Sequence, residues 1–462
     1  MDRTQRSKGL AMAIAACTLI GTATACSSSS SGGSGSASAN PDAPVTISVN
    51  CEPTTSNGPQ RAGWIADVAA FEKLYPYITI KSDDTNPCDD PSTFDAKLAS
   101  GKMDNVFYTY FTDADNVISS GEAIDIQKYA SQINDESDIQ PSLLNVYRQG
   151  NAPSGDLYGI PTGNYSLGLV YNRTLFQQAG LDPNTPPTTW AQVETDAIAI
   201  SKLGNGDIGY GDYSAQNTGG WHFVAELYSR GGTAVSSNGQ SANVNNADGT
   251  AVLNYLHQLR FVDNVMGTNQ GLSYNDLLQM MASGKLGMYV GAPDNVTSIH
   301  NTYKVPYANL GVGPMPGKTA TLLGGSGYMF NKNDTAAQIQ AGIKWINYEF
   351  MTSGLGQFNY QRIASQGSPV GLPEPDLWQG AAATADAANV AKYANIPVGN
   401  FASYVSALPS MKLLVEPPQA QSIYAKGDTA MDAVLTQANA NIPQLLSTFS
   451  SQVNTILANS QQ

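Results

Sequence analysis

Leu157–Tyr210 reads LYGIPTGNYSLGLVYNRTLFQQAGLDPNTPPTTWAQVETDAIAISKLGNGDIGY. Its opening run, Leu157–Tyr171, is apolar and rich in Gly and Tyr, the composition of a buried strand, with a Pro-Thr-Gly break at Pro161–Gly163. Asn172–Ala179 reads as a short amphipathic helix, with Gly180 as its C-cap residue because glycine takes the left-handed conformation without steric cost. A Pro-rich turn, Asp182–Pro187, follows. Thr188 or Thr189 then caps a second helix that starts at Trp190 and runs to about Leu203, its hydroxyl accepting from the free N–H groups of the first turn.

The same alternation extends in both directions. Upstream, Val45–Val49 is a β-branched run, Trp64–Tyr75 places Trp64, Val68, Phe71 and Leu74 at helical spacing, and Ile78–Ile80 is a second strand. This is a βαβ unit, so its two strands are expected to be parallel neighbours. Phe94–Ala99 reads as helix, Val106–Phe111 as a third strand rich in aromatics, and Ala114–Ser119 as helix again. Downstream, Gln216–Gly220 is a Gly-rich loop, and Phe223–Ser229, Asp248–Val262, Asn275–Ala282 and Thr335–Phe350 are helical. Gly284–Val290, Gly311–Pro316 and Leu322–Asn331 read as strands, and the chain from about Asp376 is helical and rich in Ala, Gln and Asn. The rhythm predicts an α/β architecture with ligands outside the carboxyl ends of the strands.

The chain has 462 residues, too long for one ordinary core. Its N-terminus combines Arg3, Arg6 and Lys8 with an apolar run, Gly9–Ala25, which reads as a secretory signal at 1–25. Ala23-Thr24-Ala25-Cys26 resembles a bacterial lipobox, making Cys26 the expected lipidated residue; Ile14-Ala15-Ala16-Cys17 matches locally but leaves too short an apolar run before it. Residues 26–43 form a Ser/Gly-rich tether, a flexible coil of roughly 20–25 Å. No later segment has the unbroken apolar length to cross a bilayer. The expected location is therefore the extracytoplasmic face of the cell membrane, held by lipid anchor only.

The formal charge is −14, near −16 once the leader is removed, with no Lys/Arg cluster. Nucleic acid and anionic membrane surfaces are poor partners for such a chain. Cys51 and Cys88, the other two cysteines of the exported part, are expected to pair, since both lie just past strand ends on one edge of the sheet. The three histidines, His222, His257 and His300, have no metal-ligand spacing, and no metal or cofactor is expected.

The segments Gly155–Pro161, Leu169–Arg173, Leu175-Phe176, Ala179–Leu181, Pro187–Trp190 and Gly209–Gly211, in this order, resemble the family 1 extracellular solute-binding proteins, the carbohydrate-binding, maltose-binding-protein-like receptors of ABC importers. Gly101–Asp104, Gly121–Ile126 and Gly284–Val290 fit further blocks of that family, with Met103 where a proline is usual. The resemblance implies a two-lobed, periplasmic-binding-protein-like α/β fold with a hinge between discontinuous lobes. Lobe one is expected at 44–163 plus 322–375 and lobe two at 164–321 plus 376–462. It also implies hinge closure on a small-molecule carbohydrate, delivery to permease subunits served by an ATPase, and a monomer.

Candidate contacts follow from position and chemistry together. A sugar needs rings to stack on and carboxylates, amides or Arg for hydrogen bonds. The chain holds 23 Tyr against 12 Phe, an excess of rings with a polar handle, although any one Tyr is more simply a core-rim residue. The resemblance points to Glu52 after the first strand, Tyr108, Tyr110 and Asp113 at or after the third, and Tyr165 in the first crossing. Trp221 follows the Gly-rich loop where relatives carry stacking aromatics; a core role is its alternative, and His222 is expected to be a structural hydrogen bonder. Asp294 stands where relatives place a stacking Trp, implying a more hydrogen-bonded subsite. Gly325 and Ser326 lie in a Gly-rich turn of the second crossing, where backbone amides can approach a ligand. Arg362 and Trp378 complete the set, with a salt bridge and a lobe-interface anchor as their alternatives.

An enzyme is the main rival. No Gly-x-Ser-x-Gly elbow, phosphate loop or dinucleotide fingerprint is present. The carboxylate pairs Asp83-Asp84 and Asp89-Asp90 have the composition a glycosidase needs but sit in a polar loop. The second rival is the same receptor fold for a non-sugar polar solute such as a polyamine or peptide.

Overall fold

Among the described residues, ten strands carry the architecture: β1 Val45–Ser48, β2 Ile78–Lys81, β3 Val106–Tyr110, β4 Gly159–Ser166, β5 Gly168–Asn172, β6 Ile208–Tyr210, β7 Leu286–Gly291, β8 Leu310–Gly313, β9 Ala320–Phe330 and β10 Lys412–Val415. The computed structural model describes residues 43–460, apart from 56–57, 83–87, 89–90 and 318. The leader, Cys26, the tether to residue 42 and the acidic pairs Asp83-Asp84 and Asp89-Asp90 lie outside the described residues. Among the described residues no helix is long and apolar enough to cross a membrane.

β1 and β2 pair in parallel, as the βαβ pattern predicts, through the helix Gly58–Leu74. Val49, just past β1, bridges Val106 of β3 in parallel. β9 is the central strand of the next sheet: its first residues pair in parallel with β10, and its remainder runs antiparallel to β3 and β4. A separate sheet has the order β6-β7-β5-β8, with β6 parallel to β7 and β5 antiparallel to both its neighbours.

The decisive stretch folds much as its residues dictate. Asn172 caps the helix Arg173–Gln178 by accepting from the N–H groups of Thr174 and Leu175, and Gly180 follows with φ +74°. Thr189 and Gln192 form a reciprocal capping box on the helix Trp190–Ser201. Pro161–Gly163 does not interrupt the strand. It forms a β-bulge in β4 against β9, and the change of direction comes later, at Leu167.

The Gly-rich loop expected at Gln216–Gly220 is shorter than the sequence implied, because the helix begins at Thr218 and runs to Ser229. Gly220 is there for packing: a Cβ would lie 2.1 Å from the Tyr424 carbonyl oxygen, so its absence lets the helix Ala420–Thr436 approach. Gly324-Gly325-Ser326 is likewise no turn but the middle of β9. Cβ atoms at Gly324 and Gly325 would strike the rings of Tyr165 and Phe111. These glycines make room for cross-strand aromatics, and the strand ladder engages their backbone.

Buried side chains segregate by sequence. One cluster takes Ile47 to Ile160, then Leu323 to Trp378, with Trp64 and Phe71 each in T-shaped contact with Trp345. The rest takes Leu167 to Leu322 and, from Ile396, the C-terminal helices. The chain therefore changes cluster within β4–Leu167 and between Leu322 and Leu323. Around the expected third change, at 375/376, the two clusters interleave: Leu372 packs on the later cluster, and Leu377, Trp378, Ala382 and Ala383 pack on the first. The crossing is pinned. Leu167 N–H donates to Leu322, the Thr321 hydroxyl donates to the Leu167 carbonyl at 2.6 Å, and the buried Tyr404 hydroxyl donates to the Ser166 carbonyl at 3.0 Å.

Candidate ligand-binding site

Tyr165, at the end of β4, marks where the two clusters meet. Its half-buried ring faces Trp221 edge-on, with centroids 6.3 Å apart, and lies over Gly324, its cross-strand neighbour. Tyr108 and Tyr110 on β3, from the first cluster's side, are within electrostatic reach of it. Their rings stand perpendicular at 5.1 Å, and Tyr108 continues to Tyr328 at 5.8 Å. From the other side come Asp294 at the start of the helix Asp294–Tyr303, and Glu416 just after β10. The structure thus gathers Tyr108, Tyr110, Tyr165, Trp221, Asp294 and, through Glu416, Asp113.

The carboxyls of this group share one electrostatic character. The Asp294 and Glu374 side chains reach water, yet the protein packed around them still desolvates and raises both. Glu374 is pushed up to about 7 by burial and then by repulsion from Asp294. Glu416 is pushed up to about 8 by burial, with a bond from the Tyr424 hydroxyl at 3.1 Å opposing and Asp113 adding to the rise. Asp113 is raised to about 6 by burial and by Asp95. Among the described residues, no Lys, Arg or His acts on these four carboxyls strongly enough to offset the shift. Around Asp294 stand Tyr213, Tyr274, Tyr289 and Tyr404, all within its field.

Two buried polar atoms beside this ring lack a partner among the described residues: the Trp221 indole N–H and the Tyr213 hydroxyl. Unpaired buried donors in a native fold call for an explanation, and a ligand hydroxyl is one. His222 is placed as the sequence predicted, fully buried with Nδ1 2.6 Å from Asp212 and its imidazole pushed down to about 3 by burial.

Other expected contacts are committed elsewhere. Glu52 is buried, ion-paired with Arg61 at 2.8 Å and accepting from the Ser82 hydroxyl at 2.8 Å, so it fastens the segment after β1 to the first helix. Cys51 beside it is disulfide-bonded to Cys88, as expected. Arg362 takes the salt-bridge alternative: its guanidinium binds Asp67 and the Gly356 carbonyl. Gly325 and Ser326 pair with Asn164, Gly163 and Tyr110 inside the sheet. Trp378 is buried against Phe358, with centroids 4.7 Å apart, and lines a cavity of about 610 Å³ that also receives Glu374.

The sequence reading missed Glu374 and Glu416. Each carries one local signal: a carboxylate beside prolines, in Pro373-Glu374-Pro375 and Glu416-Pro417-Pro418, where restricted backbones hold the side chain in place. Among the described residues no group of His, Cys, Asp and Glu is set to hold a metal ion.

With this geometry in place, the chain is seen to belong to the bacterial extracellular solute-binding protein family, whose profile matches residues 55–353. The family expected from residues 155–211 is the family found. The fold is that of two-lobed solute-binding proteins. It is similar to an ABC transporter solute-binding protein from Thermotoga lettingae bound with α-D-tagatose, with a TM-score of 0.69 and 17% identity, covering 89% of this chain and 99% of that one. It is similar also to the GacH receptor of Streptomyces glaucescens, studied unliganded and with acarbose, with a TM-score of 0.70 and 19% identity over 90% and 98% of the two chains. By sequence it is 24% identical over 233 residues to the sn-glycerol-3-phosphate-binding periplasmic protein of Yersinia pseudotuberculosis, which is 48% of this chain and 50% of that protein. The chain spans half or less of the length of the curated relatives it matches.

Proposed function

We propose that this protein is the substrate-binding lipoprotein of an ABC importer and that it captures a sugar or oligosaccharide by hinge closure. The observation that carries this reading is the ring of Tyr108, Tyr110, Tyr165 and Trp221 interleaved with Asp113, Asp294, Glu374 and Glu416 where the two hydrophobic clusters meet. Aromatic faces suit the C–H surface of a sugar, and carboxylates suit its hydroxyls. The two clusters serve as lobes, with β4–Leu167, Leu322-Leu323 and a third crossing near 375/376, where residues of both clusters interleave. Ligand touching both lobes shifts the open–closed equilibrium by its differential affinity for the closed form. The closed form then docks on permease subunits served by an ATPase, with the protein a monomer held on the extracytoplasmic face through Cys26.

A named relative binds sn-glycerol-3-phosphate. The carboxyls that stay ionised at pH 7, Asp113 among them, oppose such a ligand: like charges at 4 Å cost about 4 kcal/mol at an effective dielectric of 20. The test is a tryptophan-fluorescence and X-ray-scattering titration with mono- and oligosaccharides. A fluorescence change with a smaller radius of gyration for one saccharide class supports capture by closure. Hydrolysis of the added saccharide, or closure on sn-glycerol-3-phosphate alone, overturns it.

A further inference from the structure

The cavity of about 610 Å³ beside Tyr165 has a composition the sugar reading does not use. One wall is the β4 bulge, Thr162 to Asn164; the others are the segment Gly371–Trp378, the helix Gly380–Tyr393 and the segment carrying Phe401 and Val405. Its floor is aromatic, with Phe358, Trp378 and Phe401, and its mouth has the half-exposed side chains of Val398 and Val405. Trp378 is 4% exposed and its indole N–H has no partner among the described residues. Three carboxylates line the space, Glu374, Asp376 and Asp386, and no Lys, Arg or His does among the described residues. The Tyr360 hydroxyl donates to Asp386 at 3.0 Å. Repulsion from Asp376 acts on Asp386, and repulsion from Asp294 acts on Glu374.

Continuity with the ring around Tyr165 follows from shared residues. Asn164 lines the cavity and precedes Tyr165; Glu374 lines it and lies in the field of Asp294. An aromatic floor with uncompensated carboxylates above it is complementary to a protonated amine on a ring with apolar faces, through charge pairing and cation–π attraction.

We propose that this cavity is a second subsite of the cleft and that it takes an amine-bearing sugar unit, so that the ligand is a cationic saccharide spanning both. The proposal rests on the sugar-binding reading. The Asp386 and Glu374 carboxylates hold the ammonium, and the Trp378 N–H donates to a ring or linkage oxygen.

The experiment is calorimetry at pH 7 on saccharide pairs matched in ring and linkage that differ by amine for hydroxyl: glucosamine against glucose, and the β-1,4 glucosamine trisaccharide against cellotriose. The amine member is expected to bind at least tenfold tighter. Asp386→Asn combined with Glu374→Gln removes that difference; the Asn side chain still accepts from Tyr360, and an unchanged melting temperature verifies the fold. Trp378→Phe, which keeps the ring and removes the N–H donor, weakens both the amine monosaccharide and the trisaccharide. Equal or tighter binding of the hydroxyl members overturns the cationic subsite and leaves the sugar reading standing. No binding by either member, with a shift from a non-sugar solute, overturns both.

Discussion

Replacing Gly324 with alanine tests how the site is built, because the methyl group has nowhere to go. Its Cβ would lie 2.3 Å from Cζ and from the hydroxyl oxygen of Tyr165, whereas ordinary contact begins at 3.4 Å. The ring has to retreat by about 1.1 Å. β9 holds Gly324 between its neighbours, so the strand cannot yield as easily as the ring. Overpacking of this kind costs about 1–3 kcal/mol. Tyr165 meets Trp221 edge-on, so a shift of this size misplaces one half of the aromatic pair. Saccharide affinity is expected to fall tenfold or more, about 1.4 kcal/mol. Gly163→Ala is the control, since the nearest atom to its Cβ is the Ser326 hydroxyl oxygen at 4.0 Å. That variant keeps its stability within about 0.5 kcal/mol. Denaturant midpoints and calorimetric titration of both variants give the answer. Wild-type stability and affinity in Gly324→Ala would refute the packing of Tyr165 on β9 as the origin of its place in the site.

Trp221→Ala is expected to weaken saccharide binding at least tenfold while leaving the circular dichroism spectrum unchanged; intact binding would assign the ring to the core alone. Serine at both Cys51 and Cys88 opens a 37-residue separation and is expected to lower stability by about 3–4 kcal/mol in the chain-entropy account, read from denaturant midpoints. Stability also depends on pH through the buried carboxyls Asp212 and Glu226, which face each other beneath neutral His222 and beside Arg230. Burial raises Asp212 to about 7 and Glu226 to about 8, and unfolded carboxyls titrate near 4. The folded state therefore keeps protons that the unfolded chain has lost, and stability falls as pH rises from 5 through 8. One shared proton is worth about 2–3 kcal/mol over pH 5 to 7, and Asp212→Asn with Glu226→Gln flattens that slope. An equal slope in the double variant would place the pH dependence elsewhere.

Much of the fold is legible in the sequence because its signals are local. Thr189 and Gln192 cap a helix, Asn172 caps another, and β-branched Val45–Ile47 with Ile78 and Ile80 pair as the βαβ rule requires. The glycines are where local reading fails. Gly220 and Gly324-Gly325 read as loop and turn, yet each is demanded by a partner far along the chain, Tyr424 in one case and Tyr165 with Phe111 in the other. The site divides the same way. Tyr108, Tyr110, Tyr165, Trp221 and Asp294 could be chosen from their segments, and the structure assembles them. Glu52 and Arg362 could not be excluded locally, because Arg61 and Asp67 neutralise them in space. Glu374 and Glu416 come from the C-terminal part of the chain, which returns to the cleft through loops without periodicity.

Thermal denaturation of the chain from Pro44 onward, screened against mono- and oligosaccharides and sn-glycerol-3-phosphate, tests the central claim most directly. A saccharide at 100 times its dissociation constant stabilises the native state by about 2.7 kcal/mol. The account predicts such a shift for one saccharide class, its loss in Trp221→Ala, recovery of the ligand unaltered, and no shift with sn-glycerol-3-phosphate. Stabilisation by sn-glycerol-3-phosphate and by no saccharide would contradict it.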